Sequence, residues 1–115
     1  MEGKNEIKLE KMGDVAIFHI KGDVTRFSKP YFEEAYEQAA SAKGLLLDFE
    51  TGCYFNSEGF KILIELLAHT SKQGQKVAVT GLSEHFKKLF RMVGITKFAT
   101  VFGSKEEAME YLRAP

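Results

Sequence analysis

The residues best suited to chemistry stand together in one stretch, "CYFNSEGF", Cys53 to Phe60. It offers a thiol, a carboxamide, a hydroxyl and a carboxylate immediately before an amphipathic run. A lone carboxylate with no second acid or base nearby organises no general acid–base reaction. In the first turn of a helix, by contrast, Glu58 contributes about 0.3–1 kcal/mol through the dipole, with Asn56 or Ser57 as the cap. A Cys/His nucleophile pair would need Cys53 near one of the histidines in space, and a small buried thiol is the plainer reading. His19, His69 and His85 are scattered and unpaired at i, i+4, so neither a Cys/His pair nor a zinc site is indicated. No metal and no cofactor is expected.

Phosphate cradles fare no better, since GxxxxGK[ST] and GxGxxG are both missing from the sequence. Ser83 reads as a helix cap, and Lys87, Lys88 and Arg91 as a solvated basic face. The pattern describes a binding module without a visible active site. An enzyme or small-ligand binder using Cys53 or the basic helix is the rival.

The elements that must position these residues are legible from periodicity. "EIKLEKMGDVAIFHI" alternates around "MGD" and predicts two strands joined by a tight turn, the first an edge strand with Ile7 and Leu9 inward. Val15 to Ile20 is apolar nearly throughout and belongs deeper in the sheet. "SKPYFEEAYEQAASAKG" predicts a helix capped by Ser28, with Pro30 in its first turn, Phe32, Ala35, Tyr36 and Ala39 inward, and Gly44 as terminator. "LLLDF" reads as a central strand covered on both faces.

"SEGFKILIELLAHTSKQG" predicts a helix with Phe60, Leu63, Ile64 and Leu67 on its core stripe. Ile62 and Leu66 add a second apolar row, with His69 beyond. A helix apolar over so much of its circumference is either deeply covered or offers a surface to a partner. "KVAVT" is the next buried strand. "SEHFKKLFRMVG" follows as a helix with Phe86, Leu89, Phe90 and Val93 at helical spacing, ended by Gly94. "KFATVF" predicts a short strand and "SKEEAMEYL" a last helix, where Ser104 and Glu107 have capping-box spacing. The order ββαβαβαβα implies an α/β fold: a mixed sheet of four or five strands, an antiparallel opening hairpin, and four helices mostly on one side.

The bulk composition suits one domain over residues 1–115. Sixteen basic and sixteen acidic side chains cancel, so no long-range field recruits nucleic acid or an anionic membrane. A single cysteine forms no internal disulfide, which suits a reducing compartment. "MEGKNEIKLEK" lacks the apolar core of a signal peptide, and no run reaches the roughly 18 apolar residues of a spanning helix. A cytosolic protein without membrane insertion is expected.

The segment from Leu45 to Phe102 resembles a STAS domain, the fold of bacterial anti-sigma factor antagonists. That family shows an apolar strand ending in Asp, then a D-S-[ST]-G helix start, a further strand and a "K-x-L-F-x-x-x-G" helix. Asp48 fits the first position; Asn56, Ser57, Glu58 and Gly59 fall on the four motif positions; Lys87, Leu89, Phe90 and Gly94 fit the later pattern. The "KGDVTRFS" stretch after the second strand also agrees.

The resemblance implies a non-enzymatic switch in bacterial transcription regulation. In that family an anti-sigma factor with serine-kinase activity phosphorylates the motif's second hydroxyl residue, and the unmodified antagonist docks on it. Here that position is Glu58, which imitates phosphoserine with less charge: −1 against about −1.5 to −2. Asn56 stands in place of the family's Asp at the start of the motif, and Thr25 stands where many members have Asp.

Three expectations follow from the resemblance. The protein binds an anti-sigma factor or related serine-kinase partner without a switch; or Ser57 takes over as acceptor; or the chain is a non-switching STAS subunit of a stress-signalling or lipid-transport assembly. The first and third rank above the second, because Ser57 as a cap would point at backbone amides. Partner contacts are expected from Thr25, Arg26, Asn56, Ser57, Glu58, Gly59, Ile62 and Leu66. A homodimer is left open.

Overall fold

The computed structural model describes residues 5–50 and 52–115. The first four residues of the single-domain expectation and Thr51 lie outside that range. Within it the chain forms strands β1 (Glu6–Met12), β2 (Val15–Lys21), β3 (Gly44–Phe49), β4 (Lys76–Thr80) and β5 (Thr100–Val101). The helices are α1 (Lys29–Gln38), α2 (Ser57–Lys72), α3 (Glu84–Met92) and α4 (Lys105–Arg113), with 3-10 turns at Arg26–Ser28 and Ile95–Lys97.

The sheet runs β1-β2-β3-β4-β5 in spatial as in chain order. β1 pairs antiparallel with β2, and every later pairing is parallel. Each parallel step moves one strand in the same direction, so a constant crossover hand drops α1, α2 and α3 on the same face. There Phe18, Ile20, Leu45, Leu47, Phe49, Val77 and Val79 meet Phe32, Leu63, Leu67 and Phe90 in the main core. The opposite face carries α4, whose Ala108, Met109 and Leu112 cover Val15, Ile17, Leu46 and Ala78. Leucines 45, 46 and 47 are therefore buried on alternate sides of one strand, which is why that run shows no alternation.

Beyond the reach of α4 the same face turns polar. His19, Asp48 and Thr80 stand in register on β2, β3 and β4. Thr80 Oγ1 donates to Asp48 Oδ1 at 2.9 Å, and the His19 ring lies 2.8 Å from Glu10 Oε1 and 3.4 Å from Asp48 Oδ2. β1 continues this character outward with Glu6, Lys8 and Glu10, all exposed.

Four local expectations need correction. α1 ends at Gln38, and Gly44 does not terminate it: Gly44 opens β3 paired with Val15 and Lys76, buried against Leu112. Ser28 does not cap α1 through its side chain, because that hydroxyl accepts from the Thr25 amide and bonds the Asn5 side chain. The predicted strand at "KFATVF" shrinks to Thr100–Val101, since a 3-10 turn takes Ile95–Lys97 after Gly94 reverses the chain at φ 84°. Val93 is exposed rather than inward, lying just past the last turn of α3 as its C-cap.

α2 is also covered differently from its predicted stripe. Leu63 and Leu67 face the sheet, Phe60 and Ile64 pack half-buried, and Ile62 is buried at 8% exposure. Phe60 leans to the α3 side, with its ring 5.7 Å from Phe90. Ile62 and half-buried Leu66 turn the other way and line a groove of about 270 Å³ shared with α1. They do not form an outward row.

Candidate functional site

The motif residues are held by a buried ring beside them. Phe55 has four phenylalanine neighbours, Phe49, Phe60, Phe86 and Phe90, with ring centroids 5.1 to 5.2 Å away. Aromatic pairs of this kind add about 0.5–1.5 kcal/mol each beyond burial. With Phe55 pinned inward, its neighbours Tyr54 and Asn56 are exposed.

The turn after β2 is laced onto this loop. Val24 and Phe55 form a parallel bridge, the Val24 amide donates to the Tyr54 carbonyl at 2.7 Å, and the Asn56 amide donates to the Val24 carbonyl at 3.3 Å. Inside the turn, Thr25 Oγ1 accepts from the Phe27 amide while Ser28 Oγ accepts from the Thr25 amide, a reciprocal capping box. Buried Ser28 thus fixes the backbone from which Arg26 and Phe27 project. The Arg26 guanidinium lies over the Phe27 ring at 4.8 Å.

Gly59 explains how closely the two segments approach. A Cβ there would stand 2.6 Å from the Val24 carbonyl carbon and 3.2 Å from the Thr25 nitrogen, closer still to the Val24 oxygen. Only a residue without a side chain lets α2 begin against that carbonyl. Asn56 is the cap, its Oδ1 accepting from the Gly59 amide at 2.9 Å. Ser57 and Glu58 follow in the first helical turn, both exposed. Ser57 is not the cap, and among the described residues its hydroxyl is not tied to backbone amides in the way expected.

Among the described residues Glu58 has no ion-pair partner, and no imidazole bonds Ser57 or Cys53. Cys53 is half-buried with its Sγ 3.5 Å from the Ile20 carbonyl, and burial pushes its thiol up from the ordinary value. Such a thiol is a poor nucleophile at neutral pH. The arrangement supplies an edge that presents a carboxylate, a guanidinium and exposed polar groups.

Of the expected contact residues, Thr25, Arg26, Asn56, Ser57, Glu58 and Gly59 come together on this edge, while Ile62 and Leu66 belong to the groove with α1. Asp48 is not brought to the motif: strand alternation turns it to the α4 face, where it bonds Thr80. Two exposed aromatics on the edge escaped sequence reasoning, Phe27 at 61% and Tyr54 at 54% exposure. Their signal was position: both fall in non-periodic connections, where an aromatic ring serves no stripe.

The family model of the STAS domain matches residues 6–108. The chain belongs to the STAS-domain family. Solved structures agree on the fold of this STAS domain. An anti-sigma factor antagonist from Mycobacterium paratuberculosis superposes with a TM-score of 0.77 at 19% identity, covering 96% of each chain. A putative anti-sigma factor antagonist from Thermotoga maritima gives 0.76 at 16% identity, over 94% of this chain and 95% of that one. RsbS of Moorella thermoacetica, in a variant with a serine replaced by glutamate, gives 0.75 at 16% identity, over 93% and 94%. The STAS fold expected from the sequence, a mixed sheet of four or five strands with about four helices, is the fold observed, with five strands and four helices among the described residues. No described helix is long and apolar enough to cross a membrane.

Proposed function

We propose that this STAS domain is a non-enzymatic regulatory module that docks a protein partner through the edge formed by Thr25–Phe27 and Tyr54–Gly59. The observation that carries the reading is the lacing of Val24 to Tyr54, Phe55 and Asn56, which presents Glu58 at an exposed helix start on a rigid support. Glu58 supplies a fixed negative charge at the position where the family resemblance places a removable phosphoryl group. Arg26, Phe27 and Tyr54 supply the guanidinium and aromatic area in which interface anchors are enriched.

The partner is an anti-sigma factor of the serine-kinase type, or other STAS subunits of a larger assembly, with a basic patch facing Glu58. The Moorella relative, known with a serine exchanged for glutamate, presents the same kind of replacement that the motif assigns to position 58 here.

Two substitutions test this. Glu58→Gln removes the charge and keeps the shape; affinity for the partner should fall about two- to fivefold, as for an exposed pair. Glu58→Ser, incubated with the kinase and ATP, should gain the mass of one phosphoryl group while the natural chain gains none. Unchanged affinity for Glu58→Gln refutes the charge role, and a stoichiometric phosphoryl group on Ser57 of the natural chain refutes the fixed-charge reading.

A further inference from the structure

We propose that the groove between α1 and α2 is a second docking site, shaped and charged for an amphipathic helix with basic flanks. It is independent of the edge around Glu58. α1 and α2 pack on the sheet and on the 3-10 turn rather than chiefly on one another. Helices in direct ridge-and-groove contact lie about 8–10 Å apart and leave no such channel. Here a groove of about 270 Å³ remains, floored by Phe32, Tyr36, Ile62 and Leu66.

The wall is fixed before anything binds. Tyr36 donates its hydroxyl to Gln75 Oε1 at 2.6 Å, and the Gln75 amide nitrogen donates to the carbonyls of Ala40 at 3.2 Å and Ala42 at 2.7 Å. Gln75 therefore ties the end of α1 to the connection after α2 and holds the groove at one width. The Tyr36 ring also stands edge-on to His69, 5.3 Å between centroids.

Length and charge select the occupant. From Ile62 to His69 the α2 wall runs about 10 Å at 1.5 Å per residue, the span of anchors at i, i+4 and i+7 on a guest helix. The rim carries Glu33, Glu37 and Glu65, all exposed and without ion-pair partners among the described residues, against the single ammonium of Lys29. That excess of carboxylate attracts Lys or Arg flanking an apolar stripe and repels an anionic lipid surface.

The test screens a display library of soluble helices of about 16 residues, with a Leu stripe at i, i+4 and i+7 and randomised flanks, against the whole chain. Selected helices should carry Lys or Arg beside the stripe, and a bound one should shift amide resonances in α1 and α2 around Glu33, Tyr36, Glu65 and Leu66. Combining Glu33→Lys, Glu37→Lys and Glu65→Lys should weaken that binding about tenfold at low salt, the difference shrinking near 1 M.

These positions are exposed, so the unfolding midpoint should stay put, and Glu58→Gln should leave the selected helix bound as before. The proposal is overturned if no helix is selected, if neutral or acidic flanks win, or if the shifts fall outside the groove. Charge reversal without effect on affinity overturns it too, as does sedimentation showing two copies of the chain joined through this face.

Discussion

Replacing Gly59 by Ala pits two opposing effects against each other. In an ordinary helix interior the change stabilises by about 0.5–1 kcal/mol, because alanine loses less backbone entropy on folding. Here the new methyl would meet the Val24 carbonyl carbon at 2.6 Å and the Thr25 nitrogen at 3.2 Å. Relief requires α2 or the turn after β2 to retreat by about 1 Å, a displacement that costs roughly 1–3 kcal/mol as overpacking. If the turn retreats, the bonds from Val24 to Tyr54 and from Asn56 to Val24 loosen, at about 0.5–1.5 kcal/mol each.

The balance is a loss of about 2 kcal/mol, or a fall in Tm of about 10 °C for a chain of this size. Urea and thermal unfolding followed by circular dichroism measure it. Gly103→Ala is the control: its Cβ would meet only Glu107 Oε1 at 3.9 Å, so stability should hold within about 0.5 kcal/mol. A Gly59→Ala protein as stable as the natural one, or more so, would refute the close approach and with it the rigid support of the docking edge.

Ile62→Ala should cost about 2–4 kcal/mol in urea unfolding, as removal of a buried branched side chain does; a loss under 1 kcal/mol would return Ile62 to the surface. The hydrogen bond from His19 holds the Glu10 carboxyl below its ordinary range. The sign follows from linkage: a folded value below the unfolded one gives a contribution present above the usual carboxylate value and lost as pH falls through the folded one. A carboxyl-carbon NMR titration should find Glu10 titrating low, moving up in His19→Gln; an unchanged midpoint would break the assignment. Cys53, its thiol pushed up by burial, should react with a disulfide reagent at pH 8 more slowly than free cysteine and speed up on unfolding, whereas fast native reaction would point to an activated thiol.

Periodicity recovered the order of elements because each buried stripe is local: Phe32 and Ala35, Leu63 and Leu67, Phe86 and Phe90 lie one turn apart on their own helices. It failed where a residue's environment comes from elsewhere in the chain. Gly44 reads as a helix terminator until Val15 and Lys76 claim it on either side. Ser28 reads as a cap until Asn5, distant in sequence, takes its hydroxyl. Ile62 has the pattern of a surface row, yet it lies buried in the groove shared with α1, and no spacing within α2 reports where α1 lies.

The motif edge was legible as a list of residues, not as a shape. Asn56 to Gly59 follow from their order, but the pairing of Val24 with Phe55 is a tertiary bridge. The exposed rings of Phe27 and Tyr54 carried no periodic signal at all.

The margins of the sheet govern how such molecules crowd together. β5 is two residues long, and β1 bears exposed charges of both signs along its length. A strand from a neighbouring molecule finds too short a template on one side and a fringe of lysine and glutamate on the other. Edge-to-edge growth of the sheet into fibrils is therefore disfavoured at both margins.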